Sequence, residues 1–136
     1  MIEFRCPGLP APQGSKRAVR LKNGRTVLLE SSARVRPYRA TLALVARQAW
    51  PGPPSAGAVA LEVVFRFPRP KSHLRASGEV RASAPSIPSR PDLDKLVRAL
   101  GDALTGIVYL DDGQIGRWVA TKEWGPTAET VVRITA

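Results

Sequence analysis

Nine residues, Val59 to Phe67, alternate without interruption: Val59, Leu61, Val63, Phe65 and Phe67 fall on one side, and Ala60, Glu62, Val64 and Arg66 on the other. A period of two with one wholly apolar side is the mark of a strand buried on one face. Such a strand demands a sheet with something covering it, and two other segments carry helical periodicity. From Ser32 to Trp50, Val35, Tyr38, Leu42, Val45 and Trp50 recur at roughly helical spacing. Pro37 is tolerable only near a helix start, so the helix is expected from about Arg36 to Trp50, stopped by Pro51-Gly52-Pro53-Pro54. The second runs from about Asp92 to Leu104, where Leu93, Leu96, Val97, Leu100, Ala103 and Leu104 form one stripe and Gly106 supplies a stop.

The remaining strands are shorter. Ile2 to Cys6 reads as the first, and Val19–Leu21 and Thr26–Leu29 flank Lys22-Asn23-Gly24-Arg25, in which Asn-Gly is a strong hairpin signal because both residues tolerate positive φ. Ile107 to Tyr109 reads as a short strand, Asp111-Asp112-Gly113 as a turn, Gln114 to Lys122 as a strand with alternating Ile115, Arg117, Val119 and Thr121, and Glu129 to Thr135 as the last. The order predicts an α+β fold: a single domain over residues 1–136, a mixed β-sheet and two main helices packed on one face. At 136 residues and 43% hydrophobic, the chain supports one modest core. Pro68 to Pro91 holds five prolines and almost no large apolar side chains, so a long mobile loop is expected there. Its Arg69, Lys71, Arg75, Arg81 and Arg90 against Glu79 suit an arm gripping a phosphate backbone, with a solvated linker as the alternative.

Charge is unevenly placed. Residues 1–81 carry fifteen Lys or Arg against four Glu, whereas residues 82–136 carry six against seven acids, including all five aspartates: Asp92, Asp94, Asp102, Asp111 and Asp112. A net charge of +10 favours a polyanion as partner. An anionic membrane fits poorly, since no apolar run approaches the roughly 20 residues of a span and no signal-peptide pattern opens the chain. The single cysteine, Cys6, among Ile2, Phe4 and Leu9, reads as core packing in a reducing, cytoplasmic setting. His73 is the only histidine, which argues against zinc or a histidine base; an exposed loop position is expected for it. Clustered carboxylates inside a basic protein are oxygen donors for a hard divalent cation such as Mg²⁺ beside a phosphodiester.

Within a regular helix Asp92 and Asp94 would point about 200° apart. They converge only if Asp92 lies at or before the N-cap, in an extended approach through Pro91; Asp112 can then return to the same place from the turn after the next strand. Simple helix capping is the competing account of Asp92. Asp94, Arg98 and Asp102, at i, i+4 and i+8, could equally be a solvated ion-pair ladder.

Three runs carry a resemblance: Arg90-Pro91-Asp92-Leu93-Asp94-Lys95-Leu96, Gly101-Asp102-Ala103-Leu104-Thr105-Gly106-Ile107-Val108-Tyr109, and Asp111-Asp112-Gly113-Gln114-Ile115. In order and spacing, for about 35 residues ending in Thr121-Lys122-Glu123-Trp124, they resemble the signature of the RusA family of Holliday junction resolvases. Pro12-Gln13-Gly14-Ser15-Lys16-Arg17 matches more weakly a basic turn near the family's N-terminus. The resemblance implies a metal-dependent endodeoxyribonuclease of DNA recombination and repair, with Asp92, Asp94 and Asp112 holding Mg²⁺ and Arg98 joining them in catalysis. DNA, a four-way junction, would be contacted by Lys16, Arg17, Arg69, Lys71, Arg75, Arg90 and Lys122. Symmetric cutting implies a homodimer. Two residues depart from the pattern: Arg98 stands where lysine is usual and Lys95 where asparagine is usual. Arginine forks to phosphate oxygens but is a poor proton donor. Two alternatives stay open, a nuclease of the same fold that prefers flaps or other branches, and a non-catalytic basic nucleic-acid-binding module whose acidic cluster is structural.

Overall fold

The computed structural model describes residues 1–14, 16–30 and 33–136, and the side chains of all of these except 16, 17 and 28–30. In chain order the elements are β1 (Ile2–Pro7), β2 (Lys16–Arg20), β3 (Thr26–Glu30), α1 (Val35–Ala49), β4 (Val59–Phe67), α2 (Leu93–Leu104), β5 (Ile115–Trp124) and β6 (Glu129–Thr135). β4 lies inside a four-stranded sheet of order β1-β6-β4-β5, antiparallel to β6 and parallel to β5. Its apolar side is buried, as its alternation requires, beneath the stripes of both helices. α1 contributes Val35, Tyr38, Leu42 and Ala46, and α2 contributes Leu96, Ala99, Leu100, Ala103 and Leu104. The Tyr38 hydroxyl and Thr130 Oγ1, both buried, share a hydrogen bond that ties α1 to β6, and burial holds the Tyr38 phenol above its ordinary range. Cys6 is fully buried in the same core. The fold is therefore the expected α+β arrangement.

The opposite sheet face is open. Glu3, Arg5, Glu62, Arg66 and Arg133 surround Val64, Val119 and Val131 there, laced by ion pairs such as Arg66 to Glu123 at 2.8 Å and to Glu129 at 2.7 Å. The Arg66 pairs are partly buried, whereas exposed pairs on this face, such as Arg117 with Glu62 at 3.2 Å, contribute about 0–1 kcal/mol each.

Four local expectations need correction. The segment Ile107–Tyr109 is no strand: Ile107 and Val108 donate back to the Leu104 carbonyl, and Gly106, at φ +84°, turns the chain out of α2. Its three side chains are apolar because the turn is tucked into the core, where Tyr109 Oη donates to the Gly101 carbonyl at 2.7 Å. In the hairpin only Gly24 takes positive φ, +83°. Gly24 N–H donates to the Leu21 carbonyl and Leu21 N–H to Arg25, so the connection is the three-residue kind with a single left-handed glycine. His73 is half-buried rather than exposed, edge-on to Trp124 with centroids 5.1 Å apart.

Finally, β5 runs two residues further than expected, and those residues organise the 68–91 segment. Trp124 Nε1 and Arg69 Nη1 both donate to the Pro85 carbonyl at 3.0 Å, and the Arg69 guanidinium lies 5.1 Å above the Trp124 ring. The same segment holds a 3-10 turn at Lys71–His73 and a bridge between Leu74 and Val80. Among the described residues no helix is long and apolar enough to cross a membrane.

Candidate active site

Asp92 is the N-cap of α2, extended at φ −64° and ψ 135°, as an approach through Pro91 dictates. Its carboxylate makes no capping hydrogen bond, so simple capping does not account for it. Instead Asp92 lies 3.9 Å from Arg90 Nη1 and 3.8 Å from Lys95 Nζ, and its side chain is 45% exposed. Asp94, in the first turn of α2, is exposed.

One cleft, with a volume of about 270 Å³, runs between α2 and the start of β5. Asp94, Arg98 and Asp102 enter it from successive turns of α2, Asp112 comes from the turn before β5, and Val97, Ile115 and Trp118 supply apolar wall. The structure thus brings Asp94, Arg98 and Asp112 together, adds Asp102, and places Asp92 outside the residues that line the cleft. The ladder reading fails for α2: among the described residues Arg98 makes no ion pair, and Asp102 reaches Arg39 of α1 at 3.6 Å instead. Arg98 thus shares the cleft lining with the carboxylates.

Electrostatics record the crowding. A hydrogen bond shared with Asp111, then the charges of Asp111 and Asp102, raise the Asp112 carboxyl above the ordinary range. Asp111 is lowered, first by the Gly113 N–H that it accepts at 3.0 Å and then by Asp112. Burial pushes the Tyr109 phenol up to about 12, and the charges of Asp112 and Asp102 act in the same direction.

Gln114 shapes the turn that carries Asp112, a role that the sequence reading did not assign to it. Its Oε1 accepts from Leu110 N–H at 2.8 Å and Asp111 N–H at 3.0 Å, while its Nε2 donates to the Ser55 and Gly57 carbonyls, both at 2.8 Å. All the donors and acceptors of the amide are used. The turn that carries Asp112 is thereby bracketed to the loop before β4. The signal was legible: Asp111-x-x-Gln114 has the spacing of a capping box, and the box is formed. Trp118 and Arg39 had no comparable local signal.

The basic residues are placed differently from one another. Lys122 Nζ donates to the Ser89 and Pro91 carbonyls, at 3.2 and 3.0 Å, and holds the approach to α2. Arg69 is committed to Trp124 and Pro85, whereas Lys71, Arg75 and Arg90 are exposed. The side chains of Lys16 and Arg17, and Ser15 before them, lie outside the described residues.

A hard cation fits this donor set in kind. The cleft carboxylates are oxygen ligands, and a hydrogen bond shared with Asp111 and the charges of Asp111 and Asp102 raise the proton affinity of Asp112 among them. Among the described residues no three Asp, Glu, His or Cys side chains come together closely enough to cage an ion. Mg²⁺ does not need such a cage, since one or two carboxylates, waters and substrate phosphate oxygens commonly complete its octahedron.

Comparison with known proteins agrees with these features. The chain is 28% identical to the uncharacterized protein YqaN of Bacillus subtilis (strain 168), over 97% of this chain and 95% of that protein. The sequence profile of endodeoxyribonuclease RusA matches residues 7–135, from the end of β1 to the end of β6 and through every residue of the cleft. With nearly its whole length matched, the chain belongs to the endodeoxyribonuclease RusA family.

Proposed function

We propose that this protein is a divalent-metal-dependent endodeoxyribonuclease that resolves four-way DNA junctions by symmetric phosphodiester hydrolysis, in recombination and repair within the cytoplasm. The observation that carries the reading is the cleft in which Asp94, Asp102 and Asp112 share a lining with Arg98, which has no ion pair among the described residues, in a chain of net charge +10. Asp94 and Asp112 would hold Mg²⁺ together with phosphate oxygens. When bound, the ion activates water and offsets charge on the leaving 3′ oxygen. Arg98 would fork to the scissile phosphate, aligning it and stabilising the charge that grows on it. Arg90 and Lys95 neutralise Asp92 in the free protein; on DNA their cations would turn to phosphates and release that carboxylate to the metal. Lys122 would act indirectly, by holding the backbone on which Asp92 sits.

One cleft serves one strand. A junction cut symmetrically on two strands therefore calls for two copies, so the working unit is a homodimer on a two-fold substrate.

Incubation of an end-labelled four-way junction with the protein and Mg²⁺, beside flap and linear duplex controls, tests the reading. Paired nicks at symmetric positions are the expected result. Preferential cutting of the flap would make the protein a branch nuclease of another specificity. A mobility shift with every strand intact would make it a binding module and overturn the nuclease assignment.

A further inference from the structure

The ribbon formed by β2 and β3 is separate from the sheet that builds the core. Its five-residue strands pair only with each other, from Lys16 opposite Glu30 to Arg20 opposite Thr26. None of its described side chains belongs to the buried core. A lone two-stranded hairpin is marginally stable at best, so this ribbon adds little to the fold that supports it.

The ribbon is also strongly basic. Residues 16–30 carry Lys16, Arg17, Arg20, Lys22 and Arg25 against Glu30 alone. At the tip Arg20, Lys22 and Arg25 are all exposed, and among the described residues none of the three has an ion pair. The root, by contrast, is fastened to the helix that carries the cleft residues. Gln13 N–H donates to the Lys95 carbonyl in the first turn of α2 at 3.0 Å. Arg39 then bridges Gln13 Oε1 at 3.0 Å and Asp102 at 3.6 Å. The 68–91 segment enters the same end of α2 through Pro91. Two distinct basic projections therefore start from one end of this helix.

Size fits one kind of partner. Strands of this length span about 17 Å and lie about 5 Å apart. The DNA major groove, about 12 Å wide, admits a two-stranded ribbon.

Resting on the nuclease reading above, we infer that residues 16–30 grip a duplex arm of the branched substrate other than the arm at the cleft. Arg20, Lys22 and Arg25 contact its phosphates. A linear duplex offers no second arm, and its persistence length of about 150 bp makes bending it round to meet both projections costly. The ribbon thus contributes to the preference for branches over linear DNA.

The test compares wild type with the full-length variant Arg20→Ala/Lys22→Ala/Arg25→Ala, by anisotropy on a labelled four-way junction and on a linear duplex without metal, across a salt series. Each lost phosphate contact removes about 0.9 from the slope of log K against log salt. The expected change on the junction is about 2.7 for the three, and less than about 1 on linear duplex. Circular dichroism checks that the variant stays folded. In a second measurement, Asn23→Cys carries a photocrosslinker; the other thiol, Cys6, is fully buried and will not compete. Crosslinks are expected along one duplex arm, away from the branch point. A junction slope within about 0.5 of wild type, equal losses on both DNAs, or a tip that crosslinks to no DNA would each overturn the inference. If wild type cuts junctions while the slope is unchanged, only the ribbon assignment fails; if wild type leaves them uncut, the nuclease reading fails first.

Discussion

Gln114→Ala removes four hydrogen bonds of 2.8–3.0 Å at once, and its effects on stability and on cleavage separate a bracket that aims Asp112 from one that merely stabilises a turn. A neutral hydrogen bond contributes about 0.5–1.5 kcal/mol net, and the lower figure applies where water can take over the freed groups. Leu110 and Asp111 are exposed, so their N–H groups rehydrate; the Ser55 carbonyl is more sheltered. A stability loss of about 1–2 kcal/mol is therefore expected, read as a fall in Tm of about 4–8 °C. The catalytic effect is larger than stability alone requires. Asp112 lies two residues from Gln114 on a turn otherwise fixed by the Asp111 cap, and a shift of about 1 Å at a reacting centre can cost about a hundredfold. Single-turnover cleavage of a four-way junction at saturating enzyme, well below the Tm, should fall at least about tenfold, or about 1.4 kcal/mol. Junction affinity without metal should stay within about twofold, because Gln114 faces no phosphate in this reading. Gln114→Glu sharpens the comparison. It keeps the oxygen that accepts from Leu110 and Asp111 but turns the other end into an acceptor facing the Ser55 and Gly57 carbonyls, so it should rescue little. If Gln114→Ala lowers Tm as stated yet cleaves within about threefold of wild type, the bracket is structural only and the positioning argument is refuted.

Asp92→Asn, Asp94→Asn and Asp112→Asn should each abolish cleavage while junction binding survives or strengthens, since each removes a proposed ligand and a negative charge near phosphate; gel assays of cutting and shift report both, and full cutting by any one variant removes that residue from the site. Arg98→Ala should slow single turnover far more than it weakens binding, with Arg98→Lys retaining activity; a loss below about threefold, roughly 0.6 kcal/mol, would defeat the catalytic role. In the metal-free protein, carboxyl NMR should show Asp112 titrating above and Asp111 below the ordinary range, and Asp111→Asn should return Asp112 towards it. The signs oppose: the Asp111 contribution to stability is present above its unfolded pKa and lost as pH falls through the lowered value, whereas that of Asp112 is present below its unfolded pKa and lost as pH rises through the raised one. Lys71→Ala/Arg75→Ala should reduce the salt slope of junction binding by about 1.8, while Arg69→Ala, which breaks the Trp124 and Pro85 contacts, should increase protease sensitivity of the 68–91 segment; the opposite pattern would mean that Arg69 is the phosphate contact.

Sequence periodicity alone determined the main elements. The alternation of Val59–Phe67 required a half-buried strand, and the stripe from Leu93 to Leu104 required a helix with one covered face, because both patterns are local consequences of backbone geometry. The aspartate cluster likewise located the candidate site, and the extended geometry of Asp92 agrees with its place after Pro91 at the start of α2. Tertiary structure decided what meets what. Three apolar residues at 107–109 are too few to show a period, and only their burial beneath α2 made them a turn. Nothing local sets β5 parallel beside β4, or sends Trp124 to Pro85 and His73. The same holds for the cleft. Which carboxylates share it depends on where the turn before β5 packs against α2, so Asp102 enters and Asp92, held by Arg90 and Lys95, stays outside. Local pattern fixes the direction of a side chain on its own element, whereas convergence of side chains from distant elements depends on long-range packing that no single window of sequence contains.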